Sequence, residues 1–355
     1  MAGHQAVVKD LVVNFSTSSQ DSAEVKEAAE EMAELIAGAF TESTGNNYEG
    51  CWKRFQEFCV SNGRQFMPAS IETVALYLVV VAKRGESISP ALSARAAISY
   101  YHKVAQPEDI APTEAERVKQ VMAGLKKKYA KPVVKKKPVT PEIMKALLRV
   151  MLPVSLEAVT LIQHRLAAFT VLLFFGCARY EEVVNVKVQN VKMTDNGNME
   201  VIFKKAKNNK FGQPRKCIIS NIGGDFCPVG ILQSYLEKIR IFITDGNENI
   251  FLFPNLSPKG IPMMGTQFSY DNAIKRLRSA LMKIGFTEEE AKTFGLHSPR
   301  IGFASAAFAA GKFNETEVQM AGRWLTEHTP RTYNVADEET MGRISKHLGE
   351  KMANH

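Results

Sequence analysis

The residues with the most chemical potential lie in the second half of the chain and form five groups. Arg179 follows an apolar run, in Gly176-Cys-Ala-Arg-Tyr-Glu-Glu182. A guanidinium leaving a buried helix is costly unless something pairs with it, and Glu182, three residues on, can share a helical face with it. A lysine-rich turn comes next, Lys204-Lys205-Ala-Lys207-Asn-Asn-Lys210. In His297-Ser-Pro-Arg300, Ser298 can cap a helix and Pro299 can start it, so His297 and Arg300 would sit at a positive helix end suited to phosphate. Gly322-Arg-Trp324 is the fourth group, and Tyr333, nine residues after Trp324, is the fifth. Singly, each has an ordinary structural reading: a half-buried ion pair, a chance HxxR, a core or rim aromatic. Their order and spacing are what set them apart.

These groups need a scaffold, and the hydrophobic periodicity supplies one. In the first half, apolar residues at spacings of three and four predict helices over Ser22–Phe40, from Tyr48 to Asn62-Gly63, over Ile71–Lys83, Pro90–Val104 and Thr113–Tyr129. This is an all-α bundle of roughly five helices, preceded by a flexible lead at residues 1–20. The second half opens on Thr140-Pro-Glu, an N-cap followed by Pro at the first helical position. Helices are expected at about 140–152, 158–178, 228–243, 269–284, 298–311, 314–322 and 329–348, with strands at Val184–Val188, Met199–Lys205 and Lys216–Ser220 around the lysine turn. The fold class expected is mainly α with a small antiparallel β-sheet.

Between the halves, Lys126, Lys127, Lys128, Lys131, Lys135, Lys136 and Lys137 crowd a stretch holding Pro132 and Pro138. Such sequence makes a poor helix and an extended linker, so the expected organisation is a lead at 1–20, a helical domain at 21–125, a basic linker at 126–139 and a second domain at 140–355. The linker reads as a strap crossing a phosphate backbone, as a nuclear import signal, or as a solvated connector. A net charge of +8 over 355 residues points the same way, toward polyanions. Five scattered cysteines, with no CxxC pair, argue against a disulfide framework and a structural zinc. The most apolar stretch, Leu166–Ala178, is shorter than the roughly 20 residues a bilayer needs, and no secretory signal or membrane partner is expected.

The second half resembles the catalytic domain of the tyrosine recombinases and integrases. That family shows Arg, Lys, His-x-x-Arg, His or Trp, and Tyr in this order, and Arg179, Lys207, His297, Arg300, Trp324 and Tyr333 match it. Lys205 and Lys210 rival Lys207 for the lysine position. The N-terminal helices resemble the core-binding domain of Cre-like recombinases, from Tyr48 through Phe66 and Pro68 to Tyr77-Leu78. Trp324 in place of the commoner His resembles the Cre-type minority. The Gly-Arg-Trp setting looks most like recombinases of eukaryotic mobile elements, such as DIRS-type elements and cryptons.

The resemblance implies a helical core-binding domain joined to an α+β catalytic domain, and a transesterification on double-stranded DNA that needs neither metal nor ATP. Tyr333 would attack phosphorus and form a 3′-phosphotyrosyl bond. Arg179 and Arg300 would hold the non-bridging oxygens. His297 would help take the Tyr333 proton, Lys207 would protonate the leaving 5′-oxygen, and Trp324 would pack against the site. Glu182 would orient Arg179. Lys53, Arg54, Lys83, Arg84, Arg95, Lys103 and Arg117 are further candidates for phosphate contacts. The segment Asn334–Leu348 reads as an amphipathic helix; in the family such a helix docks on a neighbouring subunit, which implies a tetramer on two DNA sites. Alternatives are a recombinase-derived DNA-binding protein that no longer cuts and a type IB topoisomerase-like enzyme. The compartment would be the nucleus for a eukaryotic source and the cytoplasm for a bacterial or phage one.

Overall fold

A computed structural model describes residues 3–130, 135–204, 215–243 and 249–324. The chain divides into two compact units, Met1–Val133 and Val134–His355.

The first unit is helical throughout. α1 (Gly3–Ser16), α2 (Ala23–Gly38), α3 (Glu42–Ser61), α4 (Ile71–Gly85), α5 (Ser89–Ala105) and α6 (Glu116–Tyr129) follow one another. Ser22, Thr41 and Ser70 cap α2, α3 and α4 by accepting the N–H three residues on, which satisfies amides that the helix leaves unpaired. The core gathers Trp52, Phe55, Leu78, Ile98 and Tyr101.

Three expectations are corrected here. Residues 3–16 are not a flexible lead. Val8 and Val12 are buried in α1, and His4 Nδ1 lies 2.8 Å from the Tyr101 hydroxyl, so the helix is pinned to α5. The basic segment is not extended from residue 126 either. Lys126, Lys127 and Lys128 form the last turn of α6, where the helix dipole favours cations. The stretch expected as one helix over Thr113–Tyr129 begins as a 3-10 turn at Pro112–Glu114 and restarts at Glu116.

The second unit is built on α8 (Leu161–Phe175), preceded by α7 (Pro141–Met151). Every residue of α8 from His164 to Phe174 is buried, as expected of a helix apolar all round. Thr140 caps α7 with Pro141 in its first turn. After α8 come α9 (Tyr180–Val184) and a three-stranded antiparallel sheet of β1 (Val191–Met193), β2 (Met199–Phe203) and β3 (Arg215–Ile219), in that spatial order. The β2–β3 register pairs Phe203 with Arg215 where β2 leaves for, and β3 returns from, the connecting segment. The run Val184–Val188 is not a strand. Its start ends α9, and Val186 and Val188 are buried in the core through single backbone bonds to Leu252 and Ile250.

α10 (Pro228–Arg240), a short β4–β5 hairpin (Asn255–Leu256, Pro262–Met263), α11 (Tyr270–Lys283), α12 (Glu288–Lys292), α13 (Ser298–Ala309) and α14 (Glu315–Gly322) complete the unit. Just before α7, Lys137 and Val139 donate backbone N–H bonds to Thr293 and Ser298. Residues 137–139 are therefore held against the turn that opens α13. Among the described residues no helix is long and apolar enough to cross a membrane.

Candidate active site

The site forms where three turns meet. The first joins α8 to α9 and contains Gly176, Cys177 and Ala178. Cys177 has φ +40°, a left-handed conformation that only a well-determined surrounding sustains in a residue with a side chain. It brings the chain round so that Arg179 becomes the N-cap of α9. Glu182 then folds back: its Oε2 accepts from the Arg179 backbone N–H at 2.9 Å, and its Oε1 from Arg179 Nη1 at 3.0 Å. The pairing expected from the i, i+3 spacing is present. Glu182 is 2% exposed, and the Arg179 side chain 24%.

The second turn opens α13. His297 occupies the N-cap position. Ser298 is not the cap: it is the first helical residue, and its Oγ accepts from the Gly295 N–H at 3.0 Å. Arg300 lies in the first helical turn and is fully buried. Its Nη1 donates to the Cys177 carbonyl and its Nη2 to the Gly322 carbonyl at 2.8 Å, while the Trp324 ring covers the guanidinium at 4.5 Å. Arg300 thus presents its charge through a packed layer rather than across open solvent, and among the described residues its buried Nε has no hydrogen-bond partner.

The third turn ends α14. Arg323 adopts φ +55° there. Its Nη1 donates to the Gly176 carbonyl at 2.7 Å, its Nη2 to the Cys177 carbonyl and to Glu182 Oε2, both at 3.3 Å, and its guanidinium lies 4.5 Å from the Phe203 ring. The Arg323 carbonyl accepts from Arg215 Nη1 at 2.9 Å, which ties this turn to the first residue of β3. The sequence offered no role for Arg323 or Arg215. A left-handed arginine and contacts between residues more than a hundred positions apart have no local signature.

Glu182 therefore faces three guanidiniums. Burial raises its pKa, but the Arg179 backbone N–H and the charges of Arg323, Arg300 and Arg179 outweigh this and hold it below the usual carboxylate value. His297 moves the other way: burial first, then the Arg300 and Arg179 charges, lower it to about 4. Its imidazole is therefore held in the neutral form at physiological pH. Burial lifts the Cys177 thiol to about 11, which leaves it unreactive. One carboxylate among three arginines gives a surplus of fixed positive charge, an arrangement suited to holding an oxyanion.

The structure thus brings together Arg179, Glu182, His297, Arg300 and Trp324. Lys205, Lys207, Lys210 and Tyr333 lie outside the described residues, as do Lys131 and the segment Asn334–Leu348. Lys126, Lys127, Lys128, Lys135, Lys136 and Lys137 are all exposed, with Lys136 Nζ donating to the Lys292 carbonyl at 2.8 Å. In the first unit Lys53, Arg95 and Arg117 are paired with Glu49, Glu114 and Glu72. No group of His, Cys, Asp or Glu that could hold a metal occurs among the described residues.

The architecture is that of the tyrosine recombinases and integrases, a helical unit followed by a mainly helical unit with a small antiparallel sheet. No protein-family model matches the chain, and no curated protein matches it in sequence. Solved structures do match. The chain is similar to the XerH site-specific recombinase bound to palindromic difH substrate in a post-cleavage complex, with a TM-score of 0.60 and 16% identity over 96% of this chain and 95% of that one. It is also similar to the Tn1549 transposon integrase in complex with circular intermediate DNA, with a TM-score of 0.52 and 15% identity over 96% and 99%.

Proposed function

We propose that this protein is a site-specific DNA recombinase that cuts and rejoins strands through Tyr333. The observation that carries the reading is the buried cluster of Arg179, Glu182, His297, Arg300 and Trp324, assembled from three distant turns within a recombinase fold. The solved relatives are recombinases and integrases in complex with DNA, which supports double-stranded DNA as the partner. The Tyr333 oxygen attacks phosphorus, its proton passes to neutral His297, and a 3′-phosphotyrosyl ester forms. The leaving 5′-oxygen takes a proton from the hairpin lysine, Lys207, with Lys205 and Lys210 as its rivals. The phosphodiester energy is kept in the covalent intermediate, so neither metal nor ATP enters the balance. Arg179 meets the phosphate directly as the more exposed fork, and Arg300 adds its charge from the dry layer behind it.

The test is covalent trapping on nicked duplex fragments from the source genome. The wild-type protein should yield SDS-resistant, protease-sensitive adducts and Tyr333→Phe none. Equal signals would remove Tyr333 from its role. Silence from both would favour a DNA-binding descendant that no longer cuts.

We further propose that copies pair on DNA, as a tetramer on two sites, through the segment Asn334–Leu348. An apolar groove of about 560 Å³ supports this. Met144, Leu148, Phe174, Phe175, Phe226 and Phe303 contribute to its lining, together with residues of α14. Met341→Asp with Ile344→Asp should keep single-site binding in a gel-shift assay and lose the paired-site complex. Unchanged pairing would refute the docking.

A further inference from the structure

Position 323 closes α14 in the left-handed region, with φ +55° and ψ 37°. Glycine is the residue that fits there without strain. Arginine is disfavoured at such a φ, so its side chain must return something the backbone gives up. What it returns is visible in its partners. The side chain is 7% exposed, and its Nη groups reach the Gly176, Cys177 and Ala321 carbonyls and Glu182 Oε2. Both Nη groups are thereby engaged within the protein, and the Nε is buried. Its partners are instead the parts that fix Arg179. Gly176 and Cys177 form the strained turn two residues upstream, and Glu182 Oε2 is the atom that also accepts the Arg179 backbone N–H.

We propose that Arg323 is a positioning residue: it clamps the Gly176–Cys177 turn and the Glu182 carboxylate, and thereby aims the Arg179 fork at the scissile phosphate. The catalytic half of this statement rests on the recombinase reading; the clamp itself does not. Without Arg323, Oε2 of Glu182 keeps, among the described residues, only the Arg179 backbone N–H as a close partner, since Arg300 Nη1 stands 3.9 Å away. The Gly176 carbonyl loses its 2.7 Å donor. Lysine cannot substitute, because a single ammonium lacks the fork that spans two carbonyls and a carboxylate.

Two variants of the full chain test this, Arg323→Gly and Arg323→Lys. Glycine relieves the left-handed backbone, so this variant retains the helix end while removing the clamp. The first readout is amide hydrogen exchange without DNA. In Arg323→Gly the amides of residues 177–183 should exchange about tenfold faster, the scale of losing one net hydrogen bond, while those of α10 and α11 stay at the wild-type rate. Unchanged exchange over 177–183 overturns the clamp whatever the protein does to DNA.

The second readout is single-turnover cleavage on suicide duplexes. Both variants should cleave about 10–100-fold more slowly than wild type, the scale of a displaced catalytic group, with DNA affinity within about twofold, because no phosphate contact is removed. On a methylphosphonate at the scissile position the deficit should shrink, since a neutral substituent leaves less charge for Arg179 to hold. On a 5′-bridging phosphorothiolate it should persist, since that leaving group needs no acid. An equal deficit on phosphodiester and methylphosphonate overturns the aiming role. A wild-type protein that forms no adduct on any substrate refutes the recombinase reading instead, and the exchange data then judge the clamp alone.

Discussion

His297 sits beside Arg300 and Arg179 and is largely withdrawn from water, and both circumstances favour the neutral imidazole, taking its pKa from 6.5 to about 4. Between these values the unfolded chain binds a proton that the folded chain does not, so stability rises with pH there. The contribution is complete above pH 6.5 and is lost as pH falls from 6.5 through 4. At pH 5 the loss at this residue comes to about 2 kcal/mol, from a proton affinity that differs between the two states at about 1.4 kcal/mol per pH unit. His297→Gln carries no such proton. Urea unfolding at pH 7.5 and at pH 5 should therefore bring the two proteins about 2 kcal/mol closer together at the lower pH. Parallel behaviour at both pH values would show that the imidazole is not held neutral.

At the scale of elements, local chemistry explains what was legible. Thr140-Pro141 announced α7, and the unbroken apolar run announced α8, because capping and burial are written in consecutive residues. The Arg179–Glu182 pair was legible for the same reason, lying three positions apart. α1 is not legible locally although Val8 and Val12 are buried, because its docking depends on Tyr101, 97 residues away. The β4–β5 strands, two residues each, are too short to show a period. Arg300 read as a phosphate donor at a helix end, whereas its Nη groups meet carbonyls supplied by two other turns. The approach of α13 to the 137–139 segment gives an element-scale prediction. A Cβ at Gly302 would run into the Val139 carbonyl, and Val139 is fully buried. Backbone cannot yield as a flexible side chain does, so Gly302→Ala should cost about 1–3 kcal/mol in chemical denaturation, as overpacking does. A variant of wild-type stability would mean that α13 does not lie that close.

At the scale of the whole molecule, the net charge of +8 matters through where it is concentrated and whether it is already engaged. Lys126, Lys127 and Lys128 form the exposed last turn of α6, so three cations stand together at the negative end of a helix. Lys136 is exposed as well, but its Nζ already donates to the Lys292 carbonyl. If the α6 lysines sit on DNA phosphate, each contact they neutralise releases counterions, and the slope of log K against log salt changes by about 0.9 per phosphate. Replacing all three by Gln should flatten that slope by about 2–3 units, whereas Lys136→Gln should change it by less than one such step. The helix itself would lose only about 0.3–1 kcal/mol for each charge–dipole interaction removed, so a thermal melt separates folding from binding. The weakening should be nearly uniform across DNA sequences, because phosphate contacts position a protein without reading bases. Titrating binding between 50 and 200 mM salt for wild type and the triple variant checks this; equal slopes would make those lysines a solvated helix end and move the phosphate contacts elsewhere on the molecule.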